Sequence, residues 1–521
     1  MSRDPKNIMK IPNVEEDLKS KQEKITKETR KLNREESLMK KRKEKILYNE
    51  NTSGKSFSCE HSVDVEFIKL KEGLISDNLK KKLNCTIEIR RFLSIQKNPP
   101  IEEVIKFGMI PIFLNFLKNN EEPQLQFEAA WVLTNIASGS TNQTFAVVEG
   151  GGIELFIKLL ESPNNNVKEQ SIWALGNITG DSPENRNKVL EAGILFPLIR
   201  ELELPNRISF TRNAIWTLSN LCRGKPSPES IFLKKIIFTL EKFIFSDDSG
   251  ILADVCWAFS YISDGSPERI QMVIDSGIVQ RLTELLMHSN TIVQTPALRV
   301  IGNVATGDDL QTQILINCGA LPCLLTLLSS AYKSIKKEAC WTISNITAGN
   351  PRQIQSVIDA NIMPTLIYLL KYSETDIKKE AAWAISNATS GGTQKQINYL
   401  VKLDCISPMI ELLTSSDSRV IKVILEGLEN ILEIGNKKSN ESNLNIYTRA
   451  IEQAGGLEKL ENLQHHSDDK IYEYSVRILE KFFGAEEEVS DNFEKIIDNK
   501  NISKKNKQIP DCFFGFVDKK S

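Results

Sequence analysis

Histidine is scarce in this chain: four among 521 residues, at His61, His288, His465 and His466. So small a supply argues against a His-rich metal site and against catalysis built on imidazole. The nine cysteines are scattered, with no Cys-x-x-Cys pair and no regular small-domain framework, and they read as reduced, small apolar side chains. Glycine (26) and proline (19) are too few for a collagen-like or wholly disordered chain. No uncharged run approaches the ~18–20 apolar residues needed to cross a bilayer. The start, MSRDPKNIMKIPNVEEDLK, lacks the apolar stretch of a secretory signal, so the expected place is the cytosolic side, away from membranes. Gly150-Gly151-Gly152 lacks the Lys-Ser/Thr of a phosphate loop, and no nucleophile–His arrangement is legible. No catalytic residue, metal or cofactor is therefore expected, and the chain does not read as an enzyme.

What is present is charge, balanced in sum and unbalanced in place. Lys plus Arg number 66 and Asp plus Glu 68, a net of −2. Residues 19–45 carry twelve basic side chains, among them Arg30, Lys31, Arg34, Lys40, Lys41, Arg42 and Lys43, against five acidic ones. That stretch is +7, which leaves −9 on the rest. A basic arm on an acidic body suits an acidic partner or folding back on its own body. A solvated tail that touches nucleic acid is the plainer alternative.

The body repeats. All six tryptophans fall on one ladder, Trp131, Trp173, Trp216, Trp257, Trp341 and Trp383, with steps of 41–43 residues once Arg299 is counted as a rung between Trp257 and Trp341. Glu426 continues the ladder forward, and a step of 42 back from Trp131 reaches Ile89. That period suits armadillo or HEAT units of two or three helices. A second element recurs in phase, as in GGIELFIKLL (151–160) and CGALPCLLTLL (318–328), with Gly or a substitute near the start and often Pro soon after. Gly permits a sharp bend and Pro is tolerated in a first helical turn. Helices this apolar must be covered by neighbours, so the expected fold is all-α: stacked repeats in a right-handed superhelical solenoid rather than three or four globules. The repeats are placed at about 71–484, after a basic arm and tether (1–70, with 46–75 as tether) and before an acidic, irregular tail (485–521).

Five of the six tryptophans have Asn four residues later: Asn135, Asn177, Asn220, Asn345 and Asn387. Asn303 keeps that place after Arg299, and Tyr261 takes it after Trp257. Residues four apart share a helix face. A lone Trp is more often a core residue, but Asn is a poor helix-interior and a costly core residue, and its repetition asks for a polar partner outside the helix. A row of carboxamides can bond the N–H and C=O groups of an extended peptide. With helices ~8–10 Å apart and ~3.3 Å per extended residue, one repeat spans about three peptide residues. Lys or Arg stems would pack between successive rings, their cations near an aromatic face. Three residues before the tryptophans stand Glu128, Gln170, Asn213, Asp254, Glu338 and Glu380, none of them basic, with Asp181 and Asp264 near helix ends. The row should therefore attract a basic peptide. The break at Arg299 leaves a complete first row and a shorter second one, suited to one basic cluster or to two joined by a linker.

With these residues in view the chain resembles the importin alpha (karyopherin alpha) family. The likeness runs through EAAWVLTNIASG (128–139), QSIWALGNITGD (170–181), RNAIWTLSNLCR (212–223), KKEACWTISNITAGN (336–350) and KKEAAWAISNATSGG (378–392). The resemblance implies ten armadillo repeats and a nuclear import adaptor that shuttles between cytoplasm and nucleus. It implies a major pocket for basic nuclear localisation signals at Trp131, Asn135, Trp173, Asn177, Trp216 and Asn220. Gly139, Thr144 and Asp181 would hold an anchoring lysine there, with Gln170 and Asn213 assisting. A minor pocket would use Arg299, Asn303, Trp341, Asn345, Trp383 and Asn387, with Glu338 and Glu380 as acid. The segment 27–45 resembles the importin-beta-binding arm, and Lys40-Lys41-Arg42-Lys43 has the form of a localisation signal that would compete with cargo. An export receptor of the CAS type with Ran-GTP is the remaining implied partner. The Phe513-Phe514-Gly515-Phe516 end has no reading. An armadillo scaffold of adhesion or signalling type, which would present a basic groove to acidic tails, is the alternative.

Overall fold

The computed structural model describes residues 60–95, 98–438 and 445–484. The basic segment with Arg30, Lys31, Arg34 and Lys40 to Lys43, and the tail after 484, lie outside the described residues. The chain forms two compact units, Met1–Leu240 and Glu241–Ser521. Among the described residues all regular structure is helical.

Each unit is a stack of one recurring motif. In the first, the long helices Leu79–Leu93, Pro123–Ala137, Asn165–Asp181 and Ile208–Cys222 pack in succession, each on the one before. In the second the same holds for Ser249–Ser263, Thr291–Val304, Lys333–Thr347, Thr375–Gly391, Ser418–Lys438 and Asp469–Phe482. Shorter helices such as Thr141–Glu149 and Gly152–Leu159 cover the long ones. The starts are written in the sequence: Asn164, Asp248 and Asn290 accept hydrogen bonds from backbone N–H groups of the first turn as N-caps. Ser182 does so ahead of Pro183. The bend before most apolar short helices passes through left-handed backbone, with φ near +80° at Gly151 and +77° at Gly319. Where Gly is replaced, Asn361 (+57°) and Asp404 (+62°) adopt the same region, which short polar side chains tolerate best.

Between the helices lie Leu133, Ile136, Leu175, Ile178, Leu218 and Leu221 in the first unit, all fully buried. Each such side chain contributes roughly 1.5–3 kcal/mol. The tether expected at 46–75 is corrected over 60–75, and its residues 46–59 lie outside the described residues. Glu60–Ile75 is a helix whose Phe67 and Leu74 are fully buried, with the Phe67 ring stacked on Phe107 at 6.1 Å. Phe67, Leu70 and Leu74 recur at helical spacing on one face, and that stripe needs the cover its neighbours give. The packed chain thus extends at least ten residues ahead of the expected boundary at 70/71.

Candidate functional site

The asparagines of the ladder have their polar partner inside the stack. Asn177 Nδ2 donates to Thr134 O (3.1 Å) and Asn220 Nδ2 to Gly176 O (3.0 Å). In the second unit Asn303 donates to Ser260 O (2.9 Å), Asn345 to Gly302 O (3.5 Å) and Asn387 to Ser344 O (2.9 Å). The acceptor is always the carbonyl of the residue three beyond the preceding rung. Asn135 follows the atypical first repeat and takes the Ser94 hydroxyl instead (3.2 Å). The expected polar partner outside the asparagine's own helix is, on the N–H side, the preceding repeat. Among the described residues their Oδ1 atoms accept no hydrogen bond, and none is buried without a partner. One end of each amide fastens a repeat to its predecessor, and the other is left as an acceptor.

That same third position seats the next indole. A Cβ on Gly176 would overlap the six-membered ring of Trp216, and one on Gly302 would overlap that of Trp341. The residues in this register after the tryptophans and Arg299 are Thr134, Gly176, Ser219, Ser260, Gly302, Ser344 and Ser386, all small. The rings are less open than the sequence suggests. Trp173 and Trp341 keep 8% of their surface exposed, and Trp131, Trp216 and Trp383 are half-buried. An indole has so much apolar area that its stack covers most of it, leaving an edge or part of a face for a cationic stem.

The acidic positions divide. Glu128 Oε2 is paired with Arg90 Nε at 2.7 Å, and Glu338 Oε1 with Arg299 Nε at 2.8 Å, so neither is an unspent acid awaiting a ligand. Arg299 itself lies over the Trp341 ring, its Cζ 5.4 Å from the centroid. Gln170 is buried and donates to Thr134 Oγ1 at 2.9 Å, another bond between repeats, and Asn213 is buried as well. Asp181 and Glu380 make no ion pair with a described residue. Asp181 accepts from Thr141 Oγ1 and from Asn185 Nδ2, each at 3.1 Å, and stays half-buried. Thr144, expected to touch a lysine, is fully buried and donates its hydroxyl to Ala137 O (3.0 Å). That bond holds the Thr141–Glu149 helix to the end of the Trp131 helix. Gly139 leaves room for Gln143 Oε1, which a Cβ there would strike.

Glu380 is pushed up to about 7 from the ordinary carboxyl range. Loss of water around it is the main cause; Lys337 and Arg299 oppose the shift, while Glu338 and Asp376 add to it.

Sequence reasoning missed a second set of joints. Ser140, Asp308, Asn350 and Thr393 each form a capping box with Gln143, Gln311, Gln353 and Gln396. The last three glutamines also donate to backbone carbonyls one repeat back, at Pro267 (3.0 Å), Asp309 (2.7 Å) and Pro351 (2.8 Å). A Ser/Asp/Asn/Thr-x-x-Gln signal stands at all four places and could have found them.

Fold and ladder together define an armadillo-repeat protein. The armadillo/beta-catenin-like repeat matches residues 97–138, 140–180, 182–223, 266–306, 308–348, 350–390 and 393–433, and an atypical armadillo repeat matches 445–495. The chain is 56% identical over 470 residues to importin subunit alpha-B of Dictyostelium discoideum, covering 90% of this chain and 91% of that one. It is 48% identical over 416 residues to importin subunit alpha-1b of rice, Oryza sativa subsp. japonica, covering 79% and 78%. The solved structure of an engineered protein is 28% identical and superposes with a TM-score of 0.72, covering 80% of this chain and 98% of that one. The chain belongs to the importin subunit alpha family. It is thus a nuclear import adaptor and not an enzyme.

Two outcomes follow from the packing. Gly176→Ala must displace the Trp216 ring, and overpacking of this kind costs about 1–3 kcal/mol in chemical denaturation; unchanged stability would mean that the ring is not seated there. For Glu380 the folded-state value lies above the ordinary one, so its contribution to stability is fully present below about pH 4.5 and is lost as pH rises through about 7. Glu380→Gln should therefore be more stable than the parent at pH 8, with the difference shrinking toward pH 5. Denaturation midpoints across that range check it.

Proposed function

We propose that the Trp–Asn rows bind the basic nuclear localisation signals of cargo proteins in extended form. The observation that carries this reading is the division of labour in each Asn: Nδ2 is held by the preceding repeat, which leaves Oδ1 as an acceptor in a regular series. A peptide N–H can bond each of those oxygens without rearrangement of the protein. In the first row the half-buried rings of Trp131 and Trp216 and the nearly buried ring of Trp173 flank the cationic stems, and Asp181 receives the anchoring lysine at the edge of the row. Gly139 lets Gln143 fold back, and Thr144 sets the helix that carries Thr141 to Asp181, so both act by positioning. The second row offers Trp341, Asn345, Trp383, Asn387 and Glu380, with Asn303 fastening the repeat ahead of it.

The arm with Arg30, Lys31, Arg34 and Lys40-Lys41-Arg42-Lys43 links this adaptor to importin beta and competes with cargo while it is unbound. A tethered basic segment reaches about millimolar effective concentration, enough to displace weak ligands. Return to the cytoplasm through an export receptor with Ran-GTP completes a shuttling cycle. An adhesion-type scaffold would need Lys or Arg beside the rungs, and the positions three before the tryptophans hold amides and carboxylates.

Fluorescence anisotropy with a lysine-rich peptide and a neutral scrambled one tests the groove. Asp181→Lys should weaken the lysine-rich peptide by about 10–100-fold, the scale of a charge-assisted hydrogen bond, and equal affinity would remove Asp181 from the site. A chain lacking residues 1–59, cut ahead of the Glu60–Ile75 helix, should bind the same peptide more tightly than the full chain; no gain would refute competition by the arm.

A further inference from the structure

Trp131 already has a cation over it. Arg90 lies on the preceding long helix, with its Cζ 4.4 Å from the indole centroid and its Nε 2.7 Å from Glu128 Oε2. The pair is sealed: the side chains of Arg90 and Glu128 keep 10% and 6% of their surface. Gln124 Nε2 holds the other carboxylate oxygen at 3.2 Å. Arg90 stands 41 residues before Trp131, so it, and not Ile89, occupies the missing rung; Ile89 is fully buried in the core.

The second unit repeats this arrangement. Arg299 stands on a rung 42 residues before Trp341, lies over that ring, and pairs with the glutamate three residues ahead of it. In both places one arginine sits in front of an indole that no tryptophan precedes. An indole face flanked by a carboxylate is the environment that a bound Lys or Arg would seek.

We propose that Arg90 is a built-in occupant of a cation slot and that it fixes where the first row ends. The inference rests on the groove reading above and adds a specificity rule to it: a basic peptide finds no place for a cationic side chain ahead of Trp131, because the chain fills that place itself. Arg90 holds the slot from a helix already ordered by the fold, whereas an incoming side chain must be immobilised there. Its removal strands the Glu128 carboxylate beside an uncovered ring and creates a slot of the same chemistry as those a peptide uses.

The test uses full-length protein with Arg90→Ala and, as control, Arg90→Ala/Glu128→Gln. The first probe is n-propylguanidinium, which carries the arginine head group. Its addition at millimolar concentration should raise the thermal midpoint of the Arg90→Ala protein saturably and leave the wild type and the double variant unmoved. An Arg90→Ala midpoint that does not respond, or a chain that stays unfolded in the probe, overturns the proposal. The second probe is a lysine-rich peptide with and without one extra arginine at either end. Wild type should bind all three within about twofold, whereas Arg90→Ala should bind one extended form about tenfold more tightly than the parent peptide. Equal binding of all three by Arg90→Ala also overturns it. If the parent peptide fails to bind the wild type, the groove reading falls, and the n-propylguanidinium response still decides whether the slot exists.

Discussion

The repeats are held in register by a hydrogen bond from one side-chain amide to one backbone carbonyl. A carbonyl inside a helix already accepts from the N–H four residues on, yet it keeps a second lone pair. The ladder asparagines use that second position, one long helix to the next. A buried amide with no partner would cost ~1–3 kcal/mol, so the bond is needed wherever the Asn is covered. The carbonyl is reachable because the residue bearing it is small, and the same smallness admits the next indole. Seat, fastening and remaining acceptor therefore depend on one choice of residue three positions past each rung.

That dependence bears on how the rows would meet a ligand. An acceptor fixed at its other end gives up little freedom on binding, and a series of them spaced by the helix stack matches a periodic partner such as an extended backbone. The charges are arranged with similar restraint. Glu128 and Glu338 are neutralised within the fold, while Asp181 and Glu380 have no basic partner among the described residues within ion-pair distance. The acidic character of the rows thus resides in fewer groups than a count of carboxylates suggests.

Much of this was legible in the sequence. The tryptophan rungs, the glycine bends and most apolar short helices stand where the period places them, because each is a local requirement repeated many times: positive φ at a bend, apolar spacing on a face. The asparagine partner was not legible, since the carbonyl it takes is set by how two helices stack and carries no side-chain signature. Arg90 was hidden by the drift of the ladder, whose steps vary by one residue either way, so that counting back by the mean landed on the neighbouring Ile89. The helix Glu60–Ile75 was obscured by its charged residues; Phe67, Leu70 and Leu74 form a narrow stripe that becomes meaningful only beside Phe92 and Phe107.

Because the fastening runs from a fixed place in one long helix to a fixed place in its predecessor, a repeat of about 42 residues such as that of Trp173 or Trp341 carries both halves of the joint, plug on one side and socket on the other. A duplicated unit would fit its new neighbours without any fresh contact having to arise. Length in such a chain can change by whole modules, while individual rungs are free to swap tryptophan for arginine or glutamate and so re-tune the surface between joints that stay the same.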